Sequence, residues 1–108
     1  MRVAFDCDGT LLNTDGTLRD EVCRLLIAFL NSNAEVVVWS GGGKNYAENV
    51  WNRVAVKYGI AENEPDLARK VYCSGKDGSL PDLTFDDMWV NLGNFNVCWP
   101  PKNKQEES

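Results

Sequence analysis

Ala34-Glu35-Val36-Val37-Val38-Trp39-Ser40-Gly41-Gly42-Gly43 is the stretch that decides the fold. Its first six residues are rich in β-branched side chains and stop at a serine and three glycines, so 34–39 reads as a strand. A helix is predicted directly behind it, over about 44–58. There Tyr46, Val50, Val54 and Tyr58 form one stripe, with Ala47 and Trp51 beside it, and Gly59 suits a left-handed cap after the last turn.

Upstream, Asn31-Ser32-Asn33 ends a predicted amphipathic helix over 20–30, in which Val22, Leu25, Leu26, Phe29 and Leu30 recur at helical spacing. Before it, residues 1–5 (M-R-V-A-F) form a short apolar strand that stops at Asp6, since D-C-D-G-T is poor helix material. Thr14-Asp15-Gly16 marks a turn.

Downstream, residues 60–68 contain Pro65 and read as an irregular connection with room for one helical turn. A third strand is expected over 70–73, followed by the loop S-G-K-D-G-S-L-P. A fourth is expected over 83–85, a helical turn over 88–92 and a fifth strand over 95–99. The tail 100–108 (P-P-K-N-K-Q-E-E-S) has nothing to bury and is expected to be disordered.

Strands that alternate with helices predict an α/β fold: one Rossmann-like domain over 1–99, with a mostly parallel five-stranded sheet, helices on its faces and no cap domain. The last two connections are too short for full helices, so that side of the sheet is expected to be thinly covered.

The 108 residues suit one domain, and 44 % hydrophobic with 25 % charged residues is an ordinary globular balance. The net charge of −5 speaks against coating nucleic acid or an anionic membrane, without excluding contact with a single phosphate. No apolar run approaches the roughly 20 residues a bilayer span needs. The N-terminus does not read as a signal peptide, and a cytoplasmic protein is expected. Cys7, Cys23, Cys73 and Cys98 form no C-x-x-C pair and there is no histidine, which makes a structural zinc site improbable. They read as reduced thiols serving as small buried hydrophobes.

Each of the first four strands is followed at once, or within three residues, by a distinctive polar group: Asp6 and Asp8, then Ser40, then Lys76, then Asp86 and Asp87. In an open parallel sheet these ends share one edge, where ligands bind. Four carboxylates cannot all stay ionised in a small volume without a counter-charge. Either some are protonated, or a divalent cation sits among them with Lys76 nearby, and magnesium suits oxygen ligands. Metal and lysine together would offset the charge of a phosphoryl group. Asp6 and Asp8, two apart on an extended segment, are expected to face the same way, one to attack and one to handle the proton. Gly9 and Thr10 start the turn away from the strand, and 41–43 precede a helix, where backbone N–H groups hold phosphate oxygens.

With these motifs the chain resembles the haloacid dehalogenase (HAD) superfamily. V-A-F-D-C-D-G-T-L-L matches its first motif, V-V-V-W-S-G-G its second, Lys76 its lysine, and L-T-F-D-D its acidic pair. The resemblance spans about residues 1–99. It implies a magnesium-dependent phosphatase with Asp6 as nucleophile and Asp8 as general acid and base. Thr10, Ser40, Gly41 and Lys76 would contact the phosphoryl group. Asp6, the backbone carbonyl of Asp8, and Asp86 with or without Asp87 would hold Mg2+. Asp at position 8 resembles the phosphatase branch, and the short connections resemble capless members with a small flap around 13–17. Capless relatives include polynucleotide 3′-phosphatase domains, so a nucleic-acid end is an alternative to a small phosphorylated molecule or nucleotide. The acidic balance favours the small molecule, with Lys44 and Arg19 near the entrance and Trp89 as a base platform. Oligomeric state is left open, a homo-oligomer included.

Plainer readings stand beside these. Asp6-x-Asp8-Gly9 suits any strand exit, Ser40 suits a helix cap, Asp86-Asp87 suits a turn, and Lys70 competes with Lys76. Trp39, Trp51 and Trp99 read as core. A calcium loop fails on spacing, and a receiver domain has its acidic pair first. A catalytically idle, phospho-ligand-binding relative is the remaining alternative.

Overall fold

The computed structural model describes residues 1–76, 80–88 and 92–99. The elements run β1 (Arg2–Asp6), α1 (Asp20–Asn31), β2 (Glu35–Ser40), α2 (Lys44–Lys57), α3 (Ile60–Asn63), α4 (Pro65–Ala68), β3 (Tyr72–Gly75), β4 (Leu83–Asp86) and β5 (Phe95–Cys98). The five strands form one sheet in the order β3-β2-β1-β4-β5, and every neighbouring pair is parallel. The expected α/β architecture is therefore present, with a sheet that is wholly rather than mostly parallel.

Both long helices cover the same face. Val22, Cys23, Leu26 and Leu30 of α1 and Ala47, Val50, Trp51, Val54 and Ala55 of α2 share one core cluster with Val3, Phe5, Val36, Val38 and Phe85. Two right-handed crossovers that step the same way along a sheet require this. The alternate strand positions, Ala4, Val37 and Trp39, form a second cluster on the opposite face with Leu92. Loop 92–94 is tied there by Asn96, whose side-chain oxygen accepts from the N–H groups of Leu92 and Gly93, both at 2.9 Å. Among the described residues, the two long helices lie on one face, and the short later connections leave the other without a long helix, in line with the thin cover expected there.

Phe5 of β1 stacks on Phe85 of β4 with ring centroids 4.9 Å apart, and Phe29 of α1 meets Phe5 edge-on at 6.2 Å. This stack fixes the register Phe5↔Phe85, and so brings the next residues, Asp6 and Asp86, side by side at the strand ends.

Several boundaries differ from expectation for physical reasons. Region 60–68 holds two short helices, because Glu64 (φ −138°) breaks the helical run and Pro65 restarts it at the first helical position. The third strand lies two residues later than 70–73, since the N–H groups of Lys70 and Val71 bond back to Leu67 and Ala68 as the end of α4. The α2 stripe also differs. Ala47, Val50, Trp51, Val54 and Ala55 are buried, whereas Tyr46 is 38 % exposed. Gly59 does take the left-handed conformation (φ 75°) after the C-cap Tyr58. Trp39 and Trp51 are core residues, and Trp99 packs against the main cluster. Most of the proposed turn at 88–92, Trp89 and the 100–108 tail lie outside the described residues. No described helix is long and apolar enough to cross a membrane.

Candidate functional site

The chain runs from β1 through β2 to β3 on one side of the sheet, then crosses to β4 on the other side of β1. The crevice beyond the carboxyl ends of β1 and β4 is thus the topological switch point, the place where such sheets bind ligands. Asp6 ends β1 and Asp86 ends β4, and both are buried, 6 % and 1 % exposed. With Asp87 they form a cluster in which one carboxylate oxygen from each lies within 4.8 Å of the others.

Lys76 enters this cluster from the loop after β3. Its Nζ stands 3.1 Å from Asp6 Oδ1 and 2.8 Å from Asp86 Oδ2. The loop is held by its backbone, since Lys76 N–H donates to the Ser40 carbonyl at 3.2 Å. Lys70 is exposed in the turn between α4 and β3, so Lys76 is the lysine that meets Asp6. Asp86 is fixed further by the Met88 N–H, which donates to Oδ1 at 3.0 Å.

Three carboxylates face one ammonium, and the imbalance falls on Asp6. Burial, then the charge of Asp86, push its pKa from 3.8 to about 7, with Lys76 working the other way. Burial alone would lower Lys76. The hydrogen bond to Asp86 and the charge of Asp6 outweigh it and hold the ammonium above its ordinary value. The donor set suits a hard cation: all oxygen, no histidine or thiolate, with one oxygen of each acid within 4.8 Å of the others. Among the described residues, Asp6, Asp86 and Asp87 are the side chains that could hold it.

Gly9 makes room for this arrangement. Its φ is +79°, and a Cβ there would lie 2.2 Å from Asp87 Oδ2. The first turn after β1 closes through Leu11 N–H to the Asp6 carbonyl at 3.3 Å and Leu12 N–H to the Cys7 carbonyl at 3.0 Å. That turn separates Asp8 from Asp6. Asp8 is exposed, its carboxylate accepts the Tyr46 hydroxyl, and it is not one of the three clustered acids. Extended geometry, on which the expectation of parallel side chains rested, ends at Asp6.

Thr10 is fully buried and donates to Asp6 Oδ2 at 3.4 Å. Ser40 is 3 % exposed, and its Oγ accepts the Gly42 N–H at 2.9 Å, which leaves its own proton to donate. Gly41 is exposed, with open space where a Cβ would stand. Arg19 donates to the Gly9 carbonyl at 3.3 Å, bracing the Asp8–Gly9 turn, while Lys44 is exposed and lies 3.8 Å from Glu48. Residues 13–17 form a small exposed turn closed by Asn13 N–H to the Thr17 carbonyl at 2.7 Å, and Arg53 reaches its Gly16 carbonyl at 2.8 Å.

No protein-family model, no curated protein and no solved structure matches this chain.

One residue of the site escapes the sequence reading. Tyr46 contacts Asp8, although its sequence position had put it in the apolar stripe of α2. The signal lay in the spacing 47, 50, 51, 54, 55, a complete helical stripe that leaves Tyr46 at its rim.

Proposed function

We propose that this chain is a magnesium-dependent phosphomonoester hydrolase of the HAD type, acting through an aspartyl phosphate on Asp6. The observation that carries the reading is Lys76, whose ammonium bridges Asp6 and Asp86 inside a three-carboxylate cluster at the switch point. Acids alone are common on protein surfaces. A buried acid cluster with one lysine on the proposed nucleophile fits phosphoryl transfer, which needs charge neutralisation and positioning.

In the first step an Asp6 carboxylate oxygen attacks phosphorus and the bond to the leaving oxygen breaks, while Asp8 gives that oxygen a proton. In the second, water gives a proton to Asp8 and attacks phosphorus. The P–O bond to Asp6 breaks, which frees phosphate and restores both acids. Lys76 keeps the attacking carboxylate oriented and offsets phosphoryl charge. Ser40, through its hydroxyl proton, and the 41–43 loop hold the phosphoryl oxygens. When bound between Asp6, Asp86 and Asp87, Mg2+ would neutralise charge on the transferring group.

The substrate class we favour is a small phosphomonoester, a nucleotide included. Support comes from the acidic chain, net charge −5, and from two basic side chains that already have partners, Arg19 on the Gly9 carbonyl and Lys44 3.8 Å from Glu48. The deciding experiment is phosphate release from a chromogenic aryl phosphate with and without Mg2+, using wild type, Asp6→Asn and Asp8→Asn. Magnesium-dependent turnover lost in Asp6→Asn supports the reading. Ligand binding with no turnover in the wild type would favour the idle, phospho-ligand-binding alternative.

A further inference from the structure

Tyr46 is the third residue of α2, one turn beyond the 41–43 loop. Its hydroxyl crosses to Asp8 and donates to Oδ1, a contact between residues 38 apart in sequence. Its ring lies against Gly42, where a Cβ would stand 3.5 Å from Tyr46 Cγ and Cδ2. Gly42 in turn donates its N–H to Ser40 Oγ at 2.9 Å. One side chain thus links the 41–43 loop to Asp8. Tyr46 is also too exposed, at 38 %, for burial to explain its placement.

We propose that Tyr46 is the positioning residue for Asp8. This rests on the phosphohydrolase reading above and assigns a residue that the four motifs do not contain. A tyrosine hydroxyl on Oδ1 fixes the carboxyl in one rotamer and leaves Oδ2 as the oxygen that exchanges the proton. In the first step the Oδ2–H bond breaks and the proton goes to the leaving oxygen. In the second, Oδ2 takes a proton from water. Tyr46 keeps its own proton throughout and touches neither phosphorus nor the leaving group. Without it, Asp8, on an exposed turn with no other side-chain hydrogen-bond partner among the described residues, would sample several rotamers.

The experiment compares wild type, Tyr46→Phe, Asp8→Asn and the double variant on p-nitrophenyl phosphate and on ethyl phosphate. The aryl leaving group departs with little need of a proton, whereas the alkyl one requires it. Tyr46→Phe keeps the ring on Gly42, so KM and the magnesium-induced rise in Tm should stay as in wild type. Its kcat should fall by about tenfold or more on ethyl phosphate and by less than about threefold on the aryl ester, a part of the 10²–10⁴ that general acid catalysis supplies. Tyr46→Phe should add nothing in the Asp8→Asn background, because a residue that acts only through Asp8 cannot act without it. Equal losses on both esters, no loss on either, or full additivity with Asp8→Asn overturns the proposal. Should Tyr46→Phe fold poorly, Tyr46→Trp offers a second ring without the phenol, judged by the same leaving-group contrast. A wild type that hydrolyses neither ester refutes the phosphohydrolase reading itself and takes this proposal with it; an active wild type separates the two.

Discussion

Gly9 and Asp87 compete for the same space: a methyl group on Gly9 would sit 2.2 Å from Asp87 Oδ2 and 2.6 Å from its Cγ. Gly9 also holds φ at +79°, which side-chain-bearing residues adopt only with strain. Gly9→Ala should therefore do two things at once. It should cost about 1–3 kcal/mol of stability through the backbone. It should also push Asp87 off the carboxylate cluster and weaken magnesium binding. Calorimetric titration with Mg2+ checks the second effect. A Gly9→Ala protein that binds magnesium as wild type does would remove Asp87 from the ligand set.

Lys76 and Asp86 predict unequal outcomes for two neutralising changes. Lys76→Met leaves Asp6 and Asp86 facing each other with no ammonium between them. The metal-free protein should lose on the order of 2 kcal/mol, typical of removing a charged hydrogen-bond partner from a buried group. Asp86→Asn keeps the shape and removes one of the repelling charges on Asp6, so the metal-free fold should be destabilised far less. Its magnesium-induced rise in Tm should shrink, because a ligand is gone. Thermal melts with EDTA and with Mg2+ separate the cases. An Asp86→Asn protein with an undiminished magnesium response would show that the cation binds elsewhere.

Much of this site was legible because strand ends in a parallel sheet converge, so placing Asp6, Ser40, Lys76 and Asp86 needed only the strand order along the chain. Local signals sufficed for β1, β2, α1 and α2, where apolar runs stop at serine, glycine or aspartate. They failed for β3, because Ser74 and Gly75 are weak strand formers whose pairing with Trp39 and Ser40 is imposed by the neighbouring strand. They failed also for the face opposite the long helices, since burial of Ala4, Val37 and Trp39 depends on a loop whose path no periodicity encodes. Tyr46 was missed because a helical stripe and its rim differ by one residue. The contact with Asp8 spans 38 positions, so only the folded geometry reveals it.

Asp6 gives the metal-free protein a pH dependence of definite sign. Burial first, then the Asp86 charge, raise its folded pKa from 3.8 to about 7. A carboxyl raised in the folded state binds more protons there than in the unfolded chain, so stability falls as pH rises between the two values. In EDTA, Tm should decline from about pH 4 to about pH 7 and then level off with respect to this group. The same window should see the stabilisation by Mg2+ grow, because the cation competes with the proton for Asp6. Asp6→Asn should flatten both trends. A wild-type Tm in EDTA that climbs through this interval would contradict the assigned environment of Asp6.

The cysteines should be chemically silent in the folded protein. All four are buried, and none forms a disulfide among the described residues. Burial, the largest cause in each case, pushes Cys7 up to about 12 and Cys23 and Cys73 to about 11. The thiolate is the reactive form, so an aromatic disulfide reagent at neutral pH should label the native protein slowly and the denatured chain completely. Fast labelling of a single thiol would mark a local opening.

The last prediction concerns the substrate. An open crevice admits either a small phosphate ester or the end of a chain, and electrostatics distinguishes them. Binding a polynucleotide releases counterions from each phosphate that a lysine or arginine neutralises, so its affinity falls steeply with salt. Here the chain is acidic overall, with 16 Asp and Glu against 11 Lys and Arg. Among the described residues, Lys76 is held by Asp6 and Asp86, Arg19 by the Gly9 carbonyl, and Lys44 stands near Glu48. No stripe remains among them to follow a backbone. Hydrolysis of nucleoside monophosphates should therefore exceed that of 3′-phosphorylated oligonucleotides, and both should change little across a salt series. If oligonucleotide ends are preferred by more than about tenfold, with a steep fall in that preference as salt rises, a phosphate-tracking surface exists and the polynucleotide 3′-phosphatase alternative takes precedence.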